Sequence, residues 1–267
     1  MAMLFNVALL AYVCATGAAL AYLVQREEII ARIGSLSALA GWVAHTIALI
    51  ALAIDVGRPP LGNLHEAISM AVWVIVLLEM WIERVYRLKV LGAFVFPIVL
   101  VLSLRSSPAR PAGLIGPALQ SAWIWVHIAL ALVGIAAFVL NFAGAVMYLL
   151  QEHQLKIKRP GTFYYRLPPL ETLDRLTYRT LVLGFPFLTT GLVLGALSAP
   201  ASWGSVFTFD PLAFASLLAW LIYAGTLAGR AAAGWHGRRA AYFAIAGFAA
   251  LILTLGAGLF LPGKHGS

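Results

Sequence analysis

Six histidines and a single cysteine carry most of the metal-ligating capacity of this 267-residue sequence. Cys14 stands alone inside an apolar run, which excludes an intramolecular disulfide and any paired-thiolate redox or zinc site. Metal chemistry therefore falls to imidazoles and carboxylates. His45, in GWVAHTIALI, lies in the middle of an apolar stretch. An ionisable group at that depth in a membrane is costly and is a functional candidate by default, the bland alternative being a neutral imidazole bonded to a neighbouring helix. His127, in SAWIWVHIAL, follows Trp123 by four residues, so a helix puts both on one face. His65 precedes Glu66 at a helix start in GNLHEAIS, and His265 is the third residue from the end. His153 and His236 fall among basic residues and read as solvated side chains.

The stretch SAPASWGSVFTFDPLAF contains no basic residue and one acid, Asp210. Trp203, Phe207 and Phe209 would form an apolar platform there. Aromatic faces combined with two imidazoles suit a flat, apolar, metal-bearing ligand. Haem fits that description, with imidazoles as axial ligands and Arg58, Arg105 or Arg110 as partners for its propionates. The competing reading is an ordinary interfacial loop, since Trp123, Trp125 and Trp203 also suit an aromatic belt.

The elements that position these residues follow from composition. The chain is 62% hydrophobic and 10% charged, where an ordinary soluble domain is roughly 25% charged. A bilayer is the solvent that suits such a chain. Apolar runs of span length, about 20 residues, fall at 3–24, 35–55, 66–84, 90–104, 121–150, 179–199, 211–228 and 240–261. The expected fold is all-α, a single polytopic domain over 1–267 with about eight transmembrane helices. The fifth run is long enough to project or tilt. Leu170, Leu173 and Leu176, beside Asp174, Arg175 and Arg179, read as a short amphipathic surface helix before the sixth span. Asn141 is expected to bond between helices, and Glu79 to pair with a basic residue of the following connection.

Of the 18 Lys and Arg residues, fourteen fall in the connections after the first, third, fifth and seventh runs. Arg58, Arg105, Arg110 and Lys264 lie on the other side. The positive-inside rule makes the first set cytoplasmic and puts both termini outside. His65, His127, His265 and the aromatic loop then share the outer face, with His45 alone at mid-depth. The net charge of +8 is explained by these loops, and no nucleic-acid partner is expected. A transporter is disfavoured because no paired broken helices are visible.

The order and spacing of these pieces resemble the haem-handling cytochrome c assembly proteins, namely CcsA of the System II cytochrome c synthase and its short relatives HemX and YpjD. GWVAHTIALI with GRPPLGNLHEAISMAVW resembles the second and third spans of that family, and LGAFVFPIVL the fourth. SAWIWVHIALALVGIAAFVLNFAGAVMYLLQEHQLK and LPPLETLDRLTYRTLVLGFPFLTTGLVLGALSA are closest, and the segment from Gly234 to Ser267 resembles the last span and tail. The resemblance implies a tryptophan-rich outer loop, WGxxWxWDPKE, flanked by two iron-ligating histidines. Trp203, Gly204 and Asp210 match that loop, and His127 and His265 match the histidines. His45 resembles an intramembrane histidine of CcsA and HemX-type members. Phe207 and Phe209 stand where the pattern has tryptophans, Leu212 and Ala213 replace its Lys-Glu, and Ala228 stands where many members carry histidine.

What the resemblance implies is a haem-binding protein of the bacterial cytoplasmic membrane that presents haem, as haem b in transit, for attachment to apocytochrome c. Its partners would be a CcsB-like membrane protein and the apocytochrome, and it would be a subunit of a cytochrome c synthase. The alternative is a HemX- or YpjD-like accessory protein that senses or buffers haem, or stabilises a membrane complex, without attaching haem to anything.

Overall fold

The computed structural model describes residues 2–106, 122–157, 165–203 and 211–260. Eight α-helices occupy them: α1 (Ala2–Gln25), α2 (Glu28–Val56), α3 (Leu64–Tyr86), α4 (Gly92–Arg105), α5 (Ala122–Lys156), α6 (Leu170–Trp203), α7 (Pro211–Ala232) and α8 (Arg238–Phe260). Each overlaps one of the eight apolar runs. Among the described residues five of them, α1, α2, α5, α6 and α7, are long and apolar enough to cross a membrane. The helix α4 has 14 residues, about 21 Å at ~1.5 Å per residue, and α3 carries Glu66, Glu79, Glu83 and Arg84.

Helix ends follow local chemistry. Gly57 takes a left-handed conformation (φ 66°) and stops α2, as an achiral residue does without strain. Asn63 caps α3 by accepting the Glu66 amide at 2.9 Å, and the Glu66 carboxylate reaches back to the Asn63 side chain at 2.9 Å.

The chain forms two compact units. One comprises Met1–Gly113 with His153–Pro168, the other Leu114–Glu152 with Pro169–Ser267. In the first unit α1 and α2 make an antiparallel pair through small residues. Ala8, Ala15 and Ala19 meet Ala31, Gly34, Ala38, Gly41, Ala44 and Ala48, all buried. Small side chains let helix backbones approach closely, which is how helices associate without a hydrophobic drive between them. The tightest point is Gly41, where an added Cβ would sit 2.8 Å from the Tyr12 ring. Gly41→Ala is therefore expected to destabilise this unit by about 1–3 kcal/mol through overpacking, read as a lowered thermal midpoint in detergent. An unchanged midpoint would mean that the pair can slide apart at no cost.

In the second unit α5 and α6 run antiparallel with similarly close backbones. An added Cβ at Gly134 would lie 3.1 Å from the Leu188 nitrogen, and one at Gly184 would lie 3.0 Å from the Ala137 Cβ. Asn141 Nδ2 donates to the Thr177 carbonyl at 2.6 Å and to Thr180 Oγ1 at 3.2 Å, the interhelical bond its sequence position predicted. Tyr223 of α7 stacks on Phe138 of α5, with centroids 3.6 Å apart, and its ring fills the space beside Gly247 of α8. Asp174 accepts from Arg230 Nη2 at 2.8 Å and from the Gly237 amide at 2.9 Å. That latch joins the start of α6 to the end of α7 and the α7–α8 turn.

Two expectations change. The surface helix at 170–179 does not exist separately, because α6 runs unbroken from Leu170 to Trp203. Leu173, Leu176, Thr177, Thr180 and Leu181 are all buried, so one stripe continues through the proposed boundary. Glu79 pairs with no basic residue among the described residues. It is 0% exposed and neither carboxylate oxygen has a hydrogen-bond partner among the described residues. Lys89 is taken by Glu28, at 2.5 Å and 2.6 Å, while Arg84 is exposed.

Candidate functional site

His127 lies in the second turn of α5 and its ring packs on α6. Nδ1 is 2.5 Å from the Gly191 carbonyl oxygen. A carbonyl only accepts, so Nδ1 carries a proton, and in the neutral ring the lone pair is then on Nε2. Metal-ligating histidines characteristically donate their second N–H to such a carbonyl, which fixes tautomer and ring orientation. The approach is possible because Gly195 leaves that part of α6 without a side chain against the ring.

Antiparallel pairing within this unit places several chain segments at one end. His127 meets Gly191, Asp174 meets Arg230, and Gly247 meets Tyr223. The start of α5, the end of α6, the start of α7 and the end of α8 are therefore together. Trp203 is the last residue of α6, eight residues and so about 12 Å beyond Gly195. Gly204, Phe207, Phe209, Asp210 and His265 lie outside the described residues, as does Arg110. Trp123 is 65% exposed, so its indole does not join the His127 contact with α6.

His45 and His65 are in the first unit. His45 is 2% exposed. Its Nδ1 is 3.2 Å from the Tyr12 hydroxyl and its Nε2 2.8 Å from the Ser69 hydroxyl. Phe5 packs edge-on at 5.4 Å between centroids. Both ring nitrogens are engaged within the bundle, so ligating iron would require one hydroxyl to give way. His65 Nδ1 donates to the Arg105 carbonyl at 2.8 Å, joining the start of α3 to the end of α4.

Arg58, one of the arginines considered for propionates, is committed elsewhere. Its guanidinium donates to both Glu66 oxygens, at 2.6 Å and 3.1 Å, and each side chain is 8% exposed. The same carboxylate accepts the Gly62 amide at 2.8 Å. This knot was not anticipated. The sequence signal was Asn63 three residues before Glu66, the spacing of a reciprocal cap.

The donor chemistry suits haem iron. Among the described residues no group of three or more His, Cys, Asp or Glu is arranged to hold a metal ion. Haem iron already has its porphyrin nitrogens and needs only axial imidazoles, which one lone-pair nitrogen from His127 and a second histidine would supply.

Comparison with known proteins identifies the family. A family model described as "Cytochrome C assembly protein" matches residues 61–265. The chain is 32% identical over 255 residues to the cytochrome c biogenesis protein CcsA of Guillardia theta, covering 87% of this chain and 84% of that protein. It is 29% identical over 239 residues to CcsA of Synechococcus sp. (strain RCC307), covering 79% and 77%. With CcsA of Prochlorococcus marinus it shares 31% over 242 residues, covering 81% and 77%.

Proposed function

The chain belongs to the cytochrome c assembly protein family, and from that premise we propose that it binds haem and presents it at the outer membrane face for attachment to apocytochrome c. The observation that supports this reading best is the His127 imidazole. Its Nδ1–H is directed at the Gly191 carbonyl, the hydrogen bond that orients a histidine whose Nε2 ligates a metal. We assign His265 as the second axial ligand, and Trp203, Gly204, Phe207, Phe209 and Asp210 as the segment against which the macrocycle packs. His45 is not used for the outer haem, because both its ring nitrogens have hydroxyl partners.

On this reading eight helices cross the bacterial cytoplasmic membrane and both termini lie outside, as the distribution of basic residues requires. Haem b is the cargo. It supplies the vinyl carbons to which the thiols of the apocytochrome CxxCH segment add, each S–H adding across one C=C bond. This chain's residues hold and orient the iron and keep water from the apolar faces. A CcsB-like membrane protein is the partner. Cys14 lies on α1 at an exposed position and takes no part in the thioether bond.

The substituted loop, with Phe207 and Phe209 for tryptophans, supports a second reading in which haem is bound or buffered but not attached. Phenylalanine keeps the apolar face and lacks the indole N–H donor. Two measurements test the pair. Purified protein supplied with haem should show a Soret band of axially ligated haem, and no band would overturn both readings. Co-expression with a CcsB-type partner and an apocytochrome should yield covalent cytochrome c. Haem uptake without covalent product would select the accessory role.

A further inference from the structure

We infer that Gly195 is a positioning residue, whose missing side chain is the seat that fixes the plane and the proton of the His127 imidazole. The inference rests on the assignment of His127 as a haem ligand. A Cβ added at Gly195 would lie 2.8 Å from His127 Cε1, 3.1 Å from Nδ1 and 3.5 Å from Nε2. Real Cβ contacts do not come that close, so one partner has to move. The backbones of α5 and α6 are held by contacts further along, at Gly134 and Gly184 and through Asn141 to Thr177. The imidazole is the distal end of a side chain with two rotatable bonds, so the ring is what moves.

Displacing the ring breaks the 2.5 Å contact from Nδ1 to the Gly191 carbonyl. That contact selects the Nδ1–H tautomer. Without it the proton redistributes between the ring nitrogens, and Nε2 loses both its fixed direction and the donating push of a hydrogen-bonded imidazole. Gly191 offers an internal control. It contributes its backbone carbonyl, and a Cβ there would meet the Ala131 nitrogen and Cα at 3.4 Å and 3.6 Å, ordinary contact distances. Two glycines four residues apart on one helix are thus predicted to behave differently. A role in helix packing alone would not separate them this way, and alanine is the better helix former at both positions.

The experiment uses the full chain in detergent or nanodiscs with ¹⁵N-labelled histidine. In the haem-free wild type the His127 nitrogens should report a proton on Nδ1, and Gly191→Ala should leave that signal unchanged. Gly195→Ala should lose it or show a tautomer mixture. In haem-supplied samples Gly195→Ala should shift the midpoint potential and weaken haem affinity about 10- to 100-fold, the range for removing a ligand's orienting partner. An Nε2–H tautomer in the wild type overturns the inference, a result that needs no variant to fold. It also falls if Gly195→Ala keeps the wild-type tautomer, potential and affinity. If the wild type shows the Nδ1–H signal but takes up no haem, the functional reading fails and the seat stands. If haem binds identically in both proteins, the seat fails and the functional reading stands.

Discussion

Replacing Glu66 with alanine should cost about 3–5 kcal/mol of stability, the usual penalty for removing one member of a buried ion pair. The Arg58 and Glu66 side chains are each 8% exposed. The carboxylate receives four donors, two from Arg58 and one each from the Gly62 amide and the Asn63 side chain. Without it a guanidinium is left buried and, among the described residues, keeps the Pro59 carbonyl at 3.0 Å as a partner. The Gly62 amide and the Asn63 side-chain amide lose their acceptor at the same time, while the Asn63 cap on the backbone amide of residue 66 remains. Glu66→Gln should fall between wild type and alanine, since the amide keeps one acceptor oxygen and lacks the charge. Replacing both partners with apolar residues, Arg58→Met with Glu66→Leu, should recover much of the loss because no buried charge is orphaned. Denaturant titration in detergent reads these differences. A Glu66→Ala protein within about 1 kcal/mol of wild type would show that water reaches the pair.

Replacing His127 with alanine should abolish stable haem binding at the proposed outer site. Disturbing the orienting partner of a metal-bound histidine weakens binding about 10- to 100-fold, and removing the ligand itself should exceed about 100-fold. The fold should survive, because the His127 ring is only partly buried and sits near the start of α5. The informative comparison is with His265→Ala and His45→Ala in matched spectra. Both outer variants should lose the Soret band of six-coordinate haem, while His45→Ala should keep it and instead lower the thermal midpoint through the orphaned Tyr12 and Ser69 hydroxyls. Retention of a wild-type spectrum in His127→Ala would remove the central residue of the proposal.

Much of the architecture was legible because it depends on hydrophobic runs. Each of the eight apolar runs contains a helix, for the local reason that backbone polar groups in an apolar medium must bond within their own segment. Asn141 was readable as an interhelical bond on similar grounds, because a lone amide in an apolar helix has few other partners. The failures are equally specific. Glu79 looked close to the basic residues after α3, yet Lys89 turns to Glu28 on another helix. The surface helix at 170–179 looked separate because its charges ended where the apolar run began. Its buried leucine stripe passes through that boundary without a break.

By itself the sequence determined an all-helical membrane chain, the family it belongs to, and the histidines that are candidates for iron. Those properties reside in residue types and their spacing. Only the tertiary structure decided what each histidine does with its two nitrogens. His45 has both held by hydroxyls from Tyr12 and Ser69, 33 and 24 residues away. His127 has Nδ1 held by a carbonyl 64 residues away on a glycine face. A tautomer is set by the group the ring touches, and that group comes from another helix.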